Sequence, residues 1–398
     1  MTIFQRRALT QGDLDMFVTA HERFVEGRPG GRRLSLKFVD LAGLNLVGRN
    51  LTEADFSGSS LENTRLSGAV LERAVLFCCA MNGADLSRAD LRRADLRGVS
   101  LRGANLIEAD LSQADFREGV IAIPHASKGL QTVKHQTCVG VADGAAFTGA
   151  TMDGAAMDGF SAQKADFADC SLRGARLNGA NLKEANLSGA MLQDAHVVGT
   201  NLSGARLTNA DLTGVAVDTA RTEKADMTGS LRTPTAAVVA RAEVLFQKAL
   251  DGNAWAESNG VLGEPAILDG EDLRPLGARL RDLKLAASSL RGTCMIGLDL
   301  RGVGLQGAQL DGADLRGCDM RGCDLRGARL SGANLAKADL RGAILSPLPL
   351  GAGRSMPVKL TGASLRYARL DGANLEGVSF DDADVSGTAL ARPSTRAA

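Results

Sequence analysis

The chain has 398 residues, of which 47 are glycine and 9 are proline, with a single tryptophan and a single tyrosine. This composition excludes a proline-rich disordered chain and a core built on large aromatic side chains. The 46 basic and 46 acidic residues cancel. The parts on either side of residue 234 are each close to neutral, so no acidic or basic domain is expected.

The apolar stretches are short, and the longest, such as 120–123 and 236–240, fall far below the roughly 20 residues that span a bilayer. The N-terminus has no apolar signal core. Seven cysteines in a long chain of this kind indicate reduced thiols. We therefore predict a soluble, cytoplasmic protein without membrane insertion.

Residues 1–33 form an N-terminal helix and lead-in. Thr10 is a suitable N-cap, and apolar or aromatic residues follow it at helical spacing. These residues are Leu14, Phe17, Val18, His21 and Phe24. An amphipathic helix at this place would cover exposed strand edges of whatever follows.

From Leu36 onward a large apolar residue occurs at every fifth position, and the frame holds to Phe116. The residue two before it is usually alanine, as in Ala89-Asp90-Leu91. In extended backbone, residues two apart point the same way, so the small and large side chains face inward and the polar one outward. The remaining two positions have turn chemistry. A bend in every unit winds the chain into a coil, and successive coils pair at about 4.8 Å.

The units ADLSR at 84–88, ANLSG at 185–189 and ADLRG at 338–342 closely resemble those of the pentapeptide-repeat proteins. The resemblance covers most of the chain. It implies an all-β solenoid, a right-handed quadrilateral β-helix with four units in each coil, so that residues twenty apart stack on one face.

Further runs extend from Phe147 to Met227, from Leu280 to Leu345 and from Leu360 to Leu390. The break at 117–146 shifts the frame by one residue, which fits either an ejected loop or a distorted coil. The break at 346–357 keeps the frame and is predicted to be a loop. The predicted segments after the lead-in are a first β-helix at 34–232, a helical linker or cap at 233–277, a second β-helix at 278–392 and a polar tail at 393–398.

The linker contains a helical pattern. Thr233-Pro234 is a good N-cap and first-turn pair, and the apolar spacing continues to Gly252. The residues at this spacing are Val238, Ala242, Leu245, Phe246 and Ala249. We therefore predict two tandem modules, each preceded by a capping helix, with one long β-helix carrying a helical insertion as the alternative.

Two cysteines, Cys318 and Cys323, occupy the small inward slot that alanine fills at Ala313 and Ala328. Free cysteine packs as a small hydrophobe, and a structural zinc site needs a second ligand pair or histidines nearby. We predict packing, with no metal and no cofactor.

One face of the second β-helix carries a column of arginines, and an aspartate stands two residues before most of them. The arginines are Arg281, Arg301, Arg321 and Arg341, and the aspartates are Asp299, Asp319 and Asp339. A bare cation column would bind phosphates, whereas alternating charges would satisfy one another. The second interpretation is favoured, with the arginines kept as a candidate interaction surface.

The two breaks contribute the other candidate interaction residues, which are His125, Lys128, Lys134, His135 and Arg354. No spacing among them matches a hydrolase triad. The glycine-rich GAGR at 351–354 lacks the Lys-Ser/Thr of a phosphate loop. No catalytic residue is predicted.

We expect a non-catalytic scaffold that binds a protein partner through its walls and loops, with no direct binding of nucleic acid. The resemblance implies an alternative, because some pentapeptide-repeat proteins imitate DNA and bind type II topoisomerases such as gyrase, protecting them from inhibitors. That mimicry requires a strongly anionic surface, which a net charge of zero does not supply. The resemblance also implies a homodimer joined end to end.

Overall fold

The structure, a computed structural model, describes residues 6–125 and 129–391. It divides between Thr233 and Pro234 into two compact units. Each unit is a right-handed quadrilateral β-helix wound from five-residue sides. The repeating pattern predicted a wound coil, the resemblance to the pentapeptide-repeat proteins predicted its quadrilateral form, and both predictions are confirmed.

The side around Leu91 shows why the pattern folds this way. Leu91 is fully buried, and Asp90 lies on the outer surface. The Leu91 N–H donates to the Asp110 carbonyl at 2.7 Å, and the Asp90 N–H donates to the Ala69 carbonyl at 2.9 Å. The Ala94 N–H donates to the Leu91 carbonyl at 3.0 Å and closes the turn. Each side therefore bonds to the coils before and after it, while its large residue fills the axis.

Several helices and paired strands occur in addition to these sides. They are β1 (Arg7–Ala8) parallel to β2 (Val39–Asp40), helix α1 (Gln11–Val25), the antiparallel pair β3 (Gly119–His125) and β4 (Gly129–Cys138), helices α2 (Ala236–Ala240) and α3 (Ala242–Glu257), and the antiparallel pair β5 (Leu348–Gly351) and β6 (Arg354–Met356). Short 3₁₀ turns lie at Val217–Thr219, Arg274–Leu276 and Ala389–Ala391.

Helix α1 begins after the predicted cap. The Asp13 N–H donates to the Thr10 hydroxyl, and the Asp13 carboxylate accepts from the Thr10 N–H, which makes a capping box. Leu14, Val18 and His21 are buried. The other two residues of the predicted stripe point outward, because Phe17 and Phe24 are 40% and 43% exposed.

Side chains of α1 bond to the open edge of the first coil. The Asn45 N–H donates to the Gln11 side chain at 2.8 Å, and the Asn50 N–H donates to the Glu22 carboxylate at 3.1 Å. In later coils such N–H groups donate to the preceding coil, so the helix takes the place of a missing coil. Arg49 breaks the small-residue pattern because it pairs with Glu22 at 2.9 Å.

The break at 117–146 contains an ejected hairpin, not a distorted coil. Strands β3 and β4 pair with each other, and the wall resumes where Ser100 pairs with Val141, 41 positions on instead of 20. The insertion therefore adds 21 residues, which explains the frame shift. The first inward large position after it holds Ala142, which is fully buried.

The break at 346–357 is also a hairpin, formed by β5 and β6. Arg329 pairs with Lys359, 30 positions on. The insertion adds ten residues, two whole units, so the frame is kept as the sequence indicated.

The linker helix differs from its prediction at both ends. Its cap is Thr235, whose hydroxyl accepts from the Val238 N–H. Thr233 does not cap it, because its hydroxyl accepts from the Gly214 N–H in the last coil of the first unit. Gly252 lies inside α3 and does not end it. A Cβ there would stand 2.9 Å from the Ala266 Cβ, so glycine permits close packing.

The repeats of the second unit begin before residue 278. Leu268 and Leu273 are fully buried, and Ile267 pairs with Ser289, 22 positions on. The two extra residues lie near the 3₁₀ turn at Arg274–Leu276. Because these two residues interrupt the period of five, the units before them were not recognised in the sequence.

Candidate functional site

Three of the four arginines of the predicted column, Arg301, Arg321 and Arg341, fold back onto the aspartate two residues before them. At Arg321, the backbone N–H and Nε donate to Asp319 Oδ1 at 3.3 and 2.8 Å, and Nη2 donates to Oδ2 at 2.7 Å. The carboxylate thus accepts the turn N–H and binds the guanidinium with both oxygens, which is the strongest geometry for such a pair. Arg301 and Arg341 repeat it with Asp299 and Asp339.

The pairs also connect from coil to coil. Nε of Arg301 lies 3.4 Å from Asp319 Oδ2, and Nε of Arg321 lies 3.9 Å from Asp339 Oδ2. Arg281 is in register with Arg301 but has an arginine two residues before it, and it lies 3.3 Å from the Asp282 carboxylate. This face is a lattice of opposite charges, and it does not offer the bare cations that a phosphate would need.

The ion pairs also affect the acidity of the aspartates. The hydrogen bond from Arg301 lowers the pKa of Asp299 to about 2. The hydrogen bond from Arg321 lowers the pKa of Asp319 in the same way. These carboxylates stay ionised at neutral pH, so they cannot act as general acids there.

The predicted loop residues lie on different hairpins. In the first unit, His125 and Lys134 belong to β3 and β4, and His135 is exposed and pairs in register with Ala122. Lys128 lies outside the described residues. Arg354 is exposed at the start of β6 in the second unit. The structure therefore groups the histidines and Lys134 on one hairpin and leaves Arg354 on the other.

The β3–β4 hairpin packs on a corner of the β-helix wall, where a corner is the turn with positive φ that joins two successive sides. A Cβ at Gly58 would lie 2.6 Å from the Phe38 ring and 3.0 Å from Ile121 Cδ1, and a Cβ at Gly119 would lie 2.5 Å from the Phe77 ring. Outward from this contact, Val120 is 57% exposed. One hairpin strand thus contacts the wall while presenting an apolar side chain to solvent.

The β5–β6 hairpin is seated in the same manner on its own unit. A Cβ at Gly327 would lie 2.8 Å from Met356 Cε and 2.9 Å from Leu348 Cβ. Leu350, two residues further along β5, is 52% exposed. Glycine at the wall corner makes room for the hairpin, and the hairpin again presents an apolar residue.

The cysteines of the inward slots are packing residues, as predicted. Cys318 and Cys323 are buried and donate their thiols to the carbonyls of Met295 and Leu300, each at 2.8 Å. Within 6–125 and 129–391, no group of three or more histidine, cysteine or acidic residues is arranged to hold a metal ion. No helix in the same part of the chain is long and apolar enough to cross a membrane.

The sequence did not reveal two surface features. The exposure of Val120 and Leu350 could not be predicted, because the alternation of residues in a short strand does not determine which of its faces contacts the wall. A second feature is the approach of Cys138 to Cys78 over Gly98. Cys78 and Gly98 are twenty residues apart, so the repeat alone places them in one column. The position of Cys138 beside them depends on where the β3–β4 hairpin packs, which the sequence does not indicate.

Sequence comparison identifies the repeats. A family model described as pentapeptide repeats matches in eight copies, over residues 35–73, 79–118, 163–196, 185–221, 308–346 and 359–392. These matches cover more than half of the chain. No curated protein matches the sequence.

Three solved structures of pentapeptide repeat proteins match this chain. HetL, involved in heterocyst differentiation regulation in the cyanobacterium Nostoc sp. strain PCC 7120, is 22% identical, with 92% of this chain and 93% of HetL covered and a TM-score of 0.14. Full-length QnrB1, a plasmid-mediated fluoroquinolone resistance protein, is 19% identical over 54% of this chain and 91% of its own, with a TM-score of 0.19. A pentapeptide repeat protein of the Arabidopsis thaliana thylakoid lumen is 25% identical, with 32% of this chain and 67% of that protein covered and a TM-score of 0.17.

Proposed function

This chain belongs to the pentapeptide-repeat family, and from that premise we propose that it is a non-catalytic scaffold whose two hairpins bind a protein partner. The observation that carries the proposal is that each hairpin is held on a rigid wall and exposes an apolar residue, Val120 in one and Leu350 in the other.

The walls are poorer candidates for the main contact. Their arginines are engaged with aspartates, and exposed ion pairs add little binding energy, on the order of 0–1 kcal/mol. Apolar side chains on a supported strand can enter a pocket on a partner, where binding energy concentrates. Arg301, Arg321 and Arg341 would then form part of a polar rim in the second unit.

The polar residues of the same hairpins are proposed to add to the binding of the partner. They are His125, Lys128, Lys134 and His135 in the first unit and Arg354 in the second. All seven cysteines are free thiols, which fits the cytoplasmic location that we propose.

The test uses photo-crosslinking in the native host. A photoreactive residue replaces Val120 or Leu350, and the matched control replaces Val198, which is 61% exposed on the wall of the first unit. We expect a discrete protein adduct from at least one hairpin site and none from the control. The proposal fails if neither hairpin site gives an adduct, or if Val198 gives the same adducts.

Hairpin deletions that restore the spacing of twenty provide a second test. Removing 119–139 deletes the 21 extra residues and joins Glu118 to Gly140. Removing 348–357 deletes the ten extra residues of the second break. This variant also carries Pro347→Gly, because residue 347 would then occupy a turn position that needs a positive φ, which proline cannot adopt. Because each deletion also removes the crosslinking position, the readout here is co-purification of the partner found by crosslinking. A partner crosslinked through one hairpin should no longer co-purify with the variant that lacks that hairpin, and should still co-purify with the other variant.

The alternative is binding to a type II topoisomerase such as gyrase. The observation in its favour is the β5–β6 hairpin, because the topoisomerase binders of the family use protruding loops. Against it stand the net charge of zero and the paired arginines. A supercoiling assay with purified gyrase decides the question, because unchanged activity and unchanged inhibitor sensitivity at saturating protein exclude this function.

A second copy of the chain is a further candidate partner, at the last coil of the second unit. Three apolar residues there pack against the core of the unit but are only partly buried, namely Leu375, Phe380 and Val385. Stacking against another copy would cover them. Sedimentation of the wild type and of Phe380→Glu would show a dimer that the variant loses, and a monomeric wild type would exclude this assembly.

A further inference from the structure

We propose that Cys78 and Cys138 are an oxidation site, at which a hydroperoxide converts the two thiols into a disulfide that fastens the β3–β4 hairpin to the wall of the first unit. This inference does not depend on the proposed function. It concerns a covalent modification, and its test does not require a partner.

The two cysteines come from distant parts of the chain and meet over one glycine. Cys78 is a wall-corner residue with a φ of 53°, and Gly98 occupies the same corner one coil later. Cys138 is the last residue of β4. A Cβ on Gly98 would lie 2.6 Å from Cys138 Cβ and 2.9 Å from Cys78 Sγ. Both side chains therefore occupy the space above Gly98.

The environments of the two thiols differ. Cys78 is only 8% exposed, and burial, followed by its hydrogen bond with Cys138, raises the pKa of its thiol. Cys138 is partly exposed at the end of the hairpin. A peroxide in solution would therefore reach Cys138 first, and the protected Cys78 would react second.

The chemistry balances with a hydroperoxide as the only oxidant. The Cys138 thiolate attacks one peroxide oxygen, the O–O bond breaks, and Cys138 becomes a sulfenic acid. The other oxygen leaves as hydroxide or an alkoxide and takes up the proton that the Cys138 thiol released. The Cys78 sulfur then attacks the Cys138 sulfur, and the S–O bond breaks. The hydroxide that leaves takes the Cys78 proton and becomes water. Each cycle reduces one peroxide and oxidises two thiols.

The adjacent Cys79 is a built-in control. It lies next to Cys78 in the sequence but points into the axis, where its thiol donates to the Phe56 carbonyl at 3.0 Å. Serine fits such a slot, because the Ser59 hydroxyl donates to the Leu36 carbonyl in the same manner at 2.7 Å. Cys79→Ser should therefore keep the fold and also keep the link to Cys138.

The disulfide would change how firmly the hairpin is held. In the reduced protein the hairpin contacts the wall through Ile121 near Phe38 and through Gly119 near Phe77. Oxidation would add a covalent link at the base of β4 and close a loop from residue 78 to residue 138. Opening of the hairpin base would then require more extensive unfolding.

The experiment treats the native full chain with hydrogen peroxide, blocks remaining thiols and digests with trypsin without reductant. We expect a linked pair of peptides, 74–88 with Cys79 blocked and 135–164. The pair should be lighter by two hydrogens than the sum of these two peptides, and reductant should separate it. Linked material should account for most of peptide 135–164. Cys79→Ser should retain it, and Cys78→Ser should lose it.

Hydrogen exchange provides an independent measurement on the same samples. Amides of 135–138 should exchange at least several-fold more slowly after oxidation in the wild type and in Cys79→Ser, with no change in Cys78→Ser. The proposal is overturned if Cys138 stays reduced, if it proceeds to sulfinic acid without a linked peptide, or if Cys78→Ser links as well as Cys79→Ser. An unfolded chain would not distinguish residues 78 and 79, so this last comparison also tests the native geometry.

Discussion

Substitution of two corner glycines by alanine would measure how tightly the β3–β4 hairpin is seated. Gly98 and Gly103 have similar positive φ values, 69° and 62°. A Cβ on Gly103 meets nothing within 4 Å, whereas a Cβ on Gly98 would meet Cys138 at the base of the hairpin. Both variants share the backbone cost of a left-handed alanine, and only Gly98→Ala adds a collision.

The shared backbone cost is about 1–2 kcal/mol. The collision at Gly98, with a Cβ–Cβ approach of 2.6 Å, forces either the hairpin or the wall to move, and such overpacking typically costs a further 1–3 kcal/mol, roughly. We therefore expect Gly98→Ala to lower the free energy of unfolding by more than Gly103→Ala does. The difference should be about 1–3 kcal/mol.

Urea unfolding of the full chain gives the free energies, and hydrogen exchange over 119–138 locates the change. Amides at the base of the hairpin should exchange faster in Gly98→Ala alone. If the two variants unfold with the same free energy and leave exchange in the hairpin unchanged, the hairpin does not rest on Gly98, and the packing described here is wrong.

Three further predictions concern the core and the N-terminal cap. Leu315→Ala, at a fully buried position inside the β-helix, should lower the free energy of unfolding by about 2–5 kcal/mol. Leu350→Ala on the exposed hairpin should change it by less than about 0.5 kcal/mol. Equal losses in urea unfolding would contradict the inward orientation of Leu315. Thr10→Ala should cost about 1 kcal/mol through loss of the helix cap, and unchanged exchange of α1 amides would refute this. Burial lowers the pKa of His21 from its ordinary 6.5, and its Nδ1 accepts the Leu34 N–H. The unfolded chain therefore binds the proton more strongly than the folded chain does. The contribution of His21 to the free energy of unfolding should be fully present above about pH 6.5 and should be lost as the pH falls below it. Urea midpoints measured across pH 5–7.5 should show this dependence on pH, and His21→Asn should reduce it.

The sequence predicted the inward positions because they depend on local geometry alone. Two side chains two residues apart in an extended segment must share a face, so Leu315 could be assigned to the axis without knowing any distant contact. Units failed to be recognised where this local signal was weak. Ala142 stands where a large residue was expected, and Leu268 and Leu273 precede an insertion that interrupts the period.

The helix ends show a different limit of the sequence. Thr233 and Thr235 both suit an N-cap by residue type. The choice between them depends on Gly214, nineteen residues before Thr233, whose N–H donates to the Thr233 hydroxyl as part of the wall. Arg49 is similar, because its place in a small slot makes sense only once Glu22 of α1 lies beside it.

The candidate site could not be predicted because it depends on how the hairpins dock. The frame of the repeats located both breaks, but it left an ejected loop and a distorted coil open for the first break. It also does not distinguish a hairpin that extends into solvent from one that folds onto the wall. The docked position follows from contacts between residues far apart in sequence, such as Ile121 with Phe38 and Leu348 near Gly327.

The docking of both hairpins on wall corners explains why the corners beneath them can matter more than the flat faces. A face such as that of Arg321 and Asp319 is internally neutralised, so a single charge change there leaves most of the lattice in place. A corner residue beneath a hairpin, such as Gly98 or Gly327, has a hairpin side chain directly above it. A change at such a corner must move the hairpin, together with the exposed apolar residue that it presents. Variation that alters binding should therefore concentrate in the hairpins and in the corner glycines beneath them, and substitutions along the paired charges of the faces should be comparatively silent.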